Sequence, residues 1–395
     1  MDKNTQNQIF AHVDAIAEDL TAMSRAIWAH PELGYEERFA AKTLTDYLSG
    51  RGFAVERNVS GYETAFVARK GDGKGPCVAF VAEYDALPQL GHACGHNLYC
   101  CSAVGAAVAL DELTGGKGLT IMVAGTPAEE TCVKDASGKV KMTQDGVFDG
   151  VDIAMMCHAE DSVVIERTLV AVTSTSAVFH GKSAHAGGSP EKGINALTAG
   201  MLTLNNINAL RQHFVAGNIV NGIITKGGVM ANTIPDECEL LFSIRAASKE
   251  ERDELSEKVD RCLRAAAMVT GCTVDIEKTP NPYDDTLPNH RLGLSYRRAL
   301  MELGYQEEEI LQSDRRSYGW DFGNISHVCP GLAPYMKIGP VGLVGHTDEF
   351  RECSNSPMAY KSLLDAAKSL CYTAWDYLSD PEMQREVREE FEKNN

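Results

Sequence analysis

The sequence predicts an α/β fold in two parts: a layered α/β/α domain built on a mixed sheet, interrupted by a smaller α+β domain. Three observations carry that expectation. Short, continuously apolar runs at 77–82, 119–124 and 152–157 alternate with helical patterns, as strands covered on both faces do. Between 171 and 283 the texture changes to alternating strands that flank two amphipathic helices. At 395 residues the chain also exceeds the usual size of one hydrophobic core. The expected division is therefore 1–170 plus 284–395 for the larger domain and 171–283 for the insertion.

Element by element, Ile9, Val13, Ile16, Leu20, Met23 and Ile27 recur at helical spacing, and Pro31 with Gly34 ends the pattern. A second helix is expected over 36–48, then strands at 53–57, 64–69 and 77–82, with Gly71-Asp72-Gly73 read as a hairpin turn between the last two. A small-residue helix follows Asn97, then a buried strand at 119–124, a mixed segment at 140–148 and a buried strand at 152–157. In the insertion, strands at 171–180, 219–226 and 238–245 accompany helices at 193–213 and 249–269. Helices and short strands return after 284.

Composition narrows the function. A 44% hydrophobic and 23% charged chain is that of an ordinary globular protein, and a formal charge of −18 argues against nucleic acid and anionic membranes, which need clustered Lys and Arg. No apolar run approaches the roughly 20 residues that span a bilayer, and the start lacks a basic then apolar leader. Twelve cysteines spread through a long chain, several within apolar runs, read as reduced and buried. A cytoplasmic location is expected.

Chemistry concentrates after the apolar runs. The segment from Glu83 to Asn97 brings Asp85, His92, Cys94 and His96 between a strand and a helix start, and Gly95 lets a tight turn aim thiolate and imidazole at one ion. Glu129-Glu130 follows the buried strand at 119–124; neighbouring positions point differently, so one carboxylate can face a metal and the other a substrate. His158 ends DIAMMCH, and His346 follows a glycine-rich approach near the C-terminus. Each histidine alone is more often structural; the expectation rests on Cys94, His96, Glu130, His158 and His346 all falling at strand ends of one layer. Five such groups suit two divalent ions, zinc or manganese, with Glu129 as general base. In the insertion, Gly181–Gly188 is a small polar loop carrying His185, which reads as a cover for a substrate or as a plain connection. Asn232 and Arg245 offer an amide and a guanidinium suited to a carboxylate, or equally a turn residue and a surface ion pair. No P-loop and no G-x-S-x-G elbow is present, so phosphate binding of that kind and serine nucleophiles are disfavoured.

The blocks HPELGYEE, YDALPQLGHACGHN, GTPAEE, GKSAHAGGSPEKGINAL, NTIPD and GHTDEF resemble the metallopeptidase family of aminoacylases, carboxypeptidase G, auxin-conjugate amidohydrolases and p-aminobenzoyl-glutamate hydrolases. The likeness covers nearly the whole chain and is nearest the branch with p-aminobenzoyl-glutamate hydrolases and Xaa-Arg or β-alanyl-lysine dipeptidases. It implies Cys94, His96, Glu130, His158 and His346 as metal ligands, Glu129 as catalytic base and Asp85 as a supporting carboxylate. It also implies a ferredoxin-like insertion that forms a homodimer, with His185 and Asn232 reaching the partner's site. Asn97, the Ala-Glu-Asp after His158, and Gly319-Trp320 depart from the family pattern, and Trp320 with Asp314-Arg315-Arg316 bears on the pocket. The expected activity is hydrolysis of a small amide, in a dipeptide or a conjugate such as p-aminobenzoyl-glutamate. Two alternatives stand beside it: an N-acyl amino acid deacylase of the same chemistry, and a non-catalytic binder of amino-acid conjugates, against which the retained Glu129 argues.

Overall fold

The computed structural model describes all 395 residues. In chain order they form α1 (Lys3–Ala15), α2 (Ala17–Ala29), α3 (Arg38–Gly50), β1 (Ala54–Arg57), β2 (Phe66–Gly71), β3 (Cys77–Glu83), α4 (His96–Thr114), β4 (Thr120–Thr126), α5 (Gly138–Gln144), β5 (Ile153–Met155), β6 (His158–Glu160) and β7 (Val163–Thr168). Then come β8 (Ala171–His180), α6 (Ala196–Leu210), β9 (Ile219–Lys226), β10 (Glu237–Ala246), α7 (Lys249–Thr270) and β11 (Thr273–Lys278). The chain closes with α8 (His290–Glu302), β12 (Ile310–Arg315), α9 (Phe322–Ser326), β13 (Gly331–Leu332), β14 (Tyr335–Lys337), α10 (Asp348–Cys353), α11 (Pro357–Ser379) and α12 (Pro381–Asn394). Two compact units result: Met1–Thr168 with Thr286–Arg316 and Asp321–Asn395, and Leu169–Asp285 with Ser317–Trp320.

The larger unit is α/β, with a six-stranded mixed sheet in the order β1-β2-β4-β3-β5-β13. Strands β3, β4, β5 and β13 run parallel, and β1 and β2 are antiparallel at one side. Both β3 and β4 are buried beyond their first residue, which explains their unbroken apolar sequence. The small-residue helix α4 is buried from His96 to Asp111 because it lies between β3 and the helices α1, α2 and α11. At Gly105 a β-carbon would meet Leu20 Cδ1 at 2.6 Å, so the close approach of α2 depends on the missing side chain. A second sheet, β12-β7-β14-β6, completes this unit.

The smaller unit runs β8-α6-β9-β10-α7-β11, with an antiparallel sheet in the order β11-β8-β10-β9, the ferredoxin-like arrangement. Alternate residues of β8 and β10 are buried; Phe179, Leu240, Phe242 and Ile244 form a core with Leu255, Val259 and Leu263 of α7. Ser248 caps α7 by accepting from Glu251 N–H, and Gly271 ends it at φ 78°.

Three expectations change. The apolar stripe from Ile9 to Ile27 is buried throughout but serves two helices, because the chain leaves helical geometry at Ile16 (φ −112°, ψ 11°), a bend that periodicity alone does not register. Gly71-Asp72-Gly73 is no hairpin: β4 lies between β2 and β3. The glycines serve clearance instead, since β-carbons at Gly71 and Gly75 would sit 2.2 and 2.3 Å from the carbonyls of Leu119 and Gly118, where the chain enters β4. His158 does not end the strand that begins at 152; it opens β6 in the second sheet, so the predicted ligands do not share one layer.

Candidate metal centre

All five predicted ligands lie in the larger unit and meet at one place, carried there by loops, a helix start and a strand start. Cys94 comes from the loop after β3, and His96 is the first residue of α4. Gly95 between them takes φ 81°, and a β-carbon there would stand 2.4 Å from Ala159 Cβ. Glu129 and Glu130 follow β4 through Ala128, a non-glycine residue at φ 56°. His158 starts β6, and His346, at φ 61° and with its side chain 56% exposed, lies in the loop before α10.

Three overlapping groups, Cys94–His96–His158, Cys94–Glu130–His346 and His96–Glu129–Glu130, each bring one donor atom per residue within 4.8 Å of the others, so each could hold a metal ion. Cys94 Sγ is 3.5 Å from His158 Nε2, and His346 Nε2 is 3.5 Å from Glu130 Oε1. Asp85, fully buried, orders the cluster: its Oδ1 accepts from His96 Nδ1 at 3.0 Å and its Oδ2 accepts from the Glu130 amide at 2.8 Å. His158 Nδ1 donates to the Ala159 carbonyl at 2.9 Å. In both histidines the Nδ1 hydrogen is thus engaged and the Nε2 lone pair is turned inward. His96 Nε2 is buried with no hydrogen-bond partner, and such an atom stays there only with something to bind. A thiolate, three imidazoles and carboxylates around it make a donor set that fits a transition-series divalent ion.

Electrostatics agree with a place built for added positive charge. Burial, and then the neighbouring carboxylates of Glu130, Glu83 and Asp321, hold the Glu129 carboxyl well above the usual range. Burial likewise raises the Cys94 thiol, with Glu130 adding to it. His96 resists the opposite effect of burial because Cys94 and Asp85 favour its protonated form. A divalent ion would reverse these preferences by favouring thiolate, carboxylate and neutral imidazole.

Three residues to which the sequence assigned no role belong to this region. Glu83, at the end of β3, faces His96 Nε2 through Oε2 at 3.4 Å, and Lys139 Nζ holds its Oε1 at 2.6 Å. Lys139 is fully buried and also pairs with Asp321 Oδ1 at 2.8 Å, while Ser137 Oγ donates to the second oxygen of Asp321. Glu37, the last residue of HPELGYEE and also buried, accepts from the Ala128 amide at 2.8 Å and from Thr64 Oγ1 at 2.7 Å. It therefore braces the left-handed residue that delivers Glu129. Glu83 carried a visible signal, a charge ending a buried strand. Lys139 carried none, because a lysine on a short helix ordinarily faces water.

His185, Asn232 and Arg245 lie in the smaller unit. His185 is exposed; its Nδ1 accepts from the amides of Gly187 and Gly188 at 3.2 and 3.0 Å. The neutral ring is thereby protonated at Nε2, which makes it a hydrogen-bond donor. Asn232 is exposed, and its carbonyl accepts from the Ala186 amide at 2.9 Å, so the two loops are tied together. Arg245 donates to the Ser317 carbonyl at 2.7 Å from the sheet face opposite the buried side chains. Trp320 is buried in this unit. Asp314 is committed to Arg167 at 2.8 Å and to Arg316 at 3.0 Å.

Residues 165–270 match the model of the peptidase dimerisation domain of the M20 family. Over 396 residues the chain is 39% identical to the Xaa-Arg dipeptidase of Mus musculus, covering 96% of this chain and 90% of that one. The chain belongs to the M20 peptidase family. It is 28% identical to a p-aminobenzoyl-glutamate hydrolase polypeptide of Escherichia coli, over 96% and 93% of the two chains. Among solved structures, a Bacillus subtilis protein described as a dinuclear metal binding peptidase of the M20 family superposes with a TM-score of 0.67 at 20% identity, over 93% and 99% of the chains. As an M20 peptidase the chain is an amidohydrolase, and the hydrolytic reading holds over that of a passive binder. No helix is long and apolar enough to cross a membrane.

One prediction arises from Gly95. Gly95→Ala combines an unfavourable left-handed backbone with a contact of 2.4 Å to Ala159 Cβ. A loss of about 1–3 kcal/mol is expected from overpacking, with weaker metal binding because Cys94 and His96 are displaced together. Denaturant unfolding and metal titration of the purified variant would check both.

Proposed function

We propose that this M20 peptidase hydrolyses the amide bond of a dipeptide, or of an acyl-amino acid such as p-aminobenzoyl-glutamate, next to a free carboxylate. The observation that carries the reading is the convergence of three donor groups, one of them including Glu129, on one partly buried cluster. Cys94, His96, Glu130, His158 and His346 hold two divalent ions, zinc or manganese. When bound, such ions lower the pKa of a water and polarise a carbonyl oxygen.

The protein's own groups do the rest. Asp85 fixes His96 and the Glu130 backbone in one orientation through both of its oxygens. Glu129, partly exposed beside Glu130, takes the proton from the attacking water and returns it to the leaving amine. His185 Nε2–H, in its fixed tautomer, donates to the oxyanion, and Asn232 and Arg245 receive the substrate carboxylate. These last residues act in a homodimer formed through the smaller unit. In support, β9 is an edge strand, and Ile223 on it (59% exposed) pairs directly with Leu241 of β10 (45% exposed), an apolar pair suited to a second copy. Twelve cysteines without a disulfide suit a reducing compartment, and we read the protein as cytoplasmic.

The test is amide hydrolysis by zinc- or manganese-loaded protein over Xaa-Arg and Xaa-Lys dipeptides, p-aminobenzoyl-glutamate and N-acyl amino acids. Turnover of dipeptides or p-aminobenzoyl-glutamate is the expected result. Turnover of simple N-acyl amino acids alone would replace the dipeptidase reading with the deacylase one.

A further inference from the structure

The buried lysine behind the cluster has a specific job. Glu83, Asp85, Glu129 and Glu130 put four carboxylates around the cluster, and Lys139 lies fully buried between Glu83 and a fifth, Asp321. Burying an ammonium is costly unless its charge is matched, and Lys139 is matched twice, by Glu83 Oε1 at 2.6 Å and Asp321 Oδ1 at 2.8 Å. Asp321 is held in turn by Ser137, whose amide bonds back to the Ala128 carbonyl, so the support for Lys139 and the loop bearing Glu129 form one connected piece.

In that clamp Lys139 Nζ stands 2.6 Å from Glu83 Oε1. The other oxygen, Oε2, stands 3.4 Å from the inward nitrogen of His96, and Glu129 Oε2 lies 3.7 Å from the same atom. Two ligands each about 2.1 Å from one tetrahedral ion stand about 3.4 Å apart. A carboxylate oxygen and an imidazole lone pair at that spacing gain by sharing a cation.

We propose that Glu83 is a sixth metal-facing group of this centre and that Lys139 is the residue that positions it. The inference rests on the reading that the cluster around His96 binds divalent ions. Lys139 acts only through Glu83: it holds one oxygen so that the other is presented, and it offsets one negative charge of the cluster without entering it. An ion that shares His96 with Glu83 is gripped more tightly than the five predicted ligands alone would allow.

The experiment is a titration of the metal-depleted full-length chain with cobalt(II), followed by visible absorption, with circular dichroism as the check on folding. The wild type is expected to take up two equivalents. Glu83→Gln, which keeps shape and leaves Lys139 paired with Asp321, is expected to weaken one of the two by about 10- to 100-fold and to alter the absorption band. Lys139→Met with Asp321→Asn, which removes the cation without stranding a second buried charge, should weaken the same equivalent by about 10-fold. In the Glu83→Gln background that double change should add less than about twofold, because the two act as one unit. Unchanged cobalt binding in Glu83→Gln, or independent, multiplying effects of the two changes, would overturn the inference. If the lysine variant does not fold, Glu83→Gln decides alone. A wild type that binds no cobalt would overturn the metal-centre reading itself, and this inference with it.

Discussion

Glu129→Gln is expected to keep its full complement of metal and its fold while kcat falls by about 10²- to 10⁴-fold, the usual worth of a positioned general base. The substitution preserves shape and removes only the ability to take a proton. Because burial first, and then Glu130, Glu83 and Asp321, already favour the neutral form of the Glu129 carboxyl, a neutral amide suits the same place, and thermal stability should hold or rise. KM should change little, since the proton moves only in the chemical step. Steady-state kinetics beside metal analysis of the same preparation would check this. A variant with near-normal turnover would place the base elsewhere, and a variant that had lost metal would make Glu129 a ligand.

His185→Ala should lower kcat by about 10²- to 10³-fold, as removal of one oxyanion donor does elsewhere, with metal content and unfolding midpoint unaltered. The ring is exposed, and its bonds are to the amides of its own loop, so the fold does not depend on it. If the histidine serves the partner's site, a purified mixed dimer of His185→Ala with Glu129→Gln contains one complete site in two. It should then recover about half of wild-type activity, although each parent dimer is nearly inactive. No recovery would assign His185 to its own chain's site.

Much of this centre is legible because its chemistry is local. Cys94-Gly95-His96 and Glu129-Glu130 are unusual at the ends of apolar runs, since thiolate, imidazole and paired carboxylates have little structural reason to gather there. The insertion is legible for a similar reason: the period-2 burial of β8 and β10 and the helical period of α7 are properties of short segments. The glycines at 71–75 mislead because a glycine that permits a turn and one that clears a neighbouring carbonyl look alike until the neighbour is known.

Sequence by itself therefore determined the α/β class, the inserted α+β unit, and the residue types able to bind metal and move a proton. Only the tertiary structure decided that His158 arrives from a second sheet, that Asp85 grips His96 and Glu130 at once, and that Lys139 sits sealed between Glu83 and Asp321. The physical reason is range. Propensity and periodicity act over a few residues, whereas the three members of the lysine clamp lie at 83, 139 and 321, and their mutual charge has meaning only once the fold has excluded water from among them.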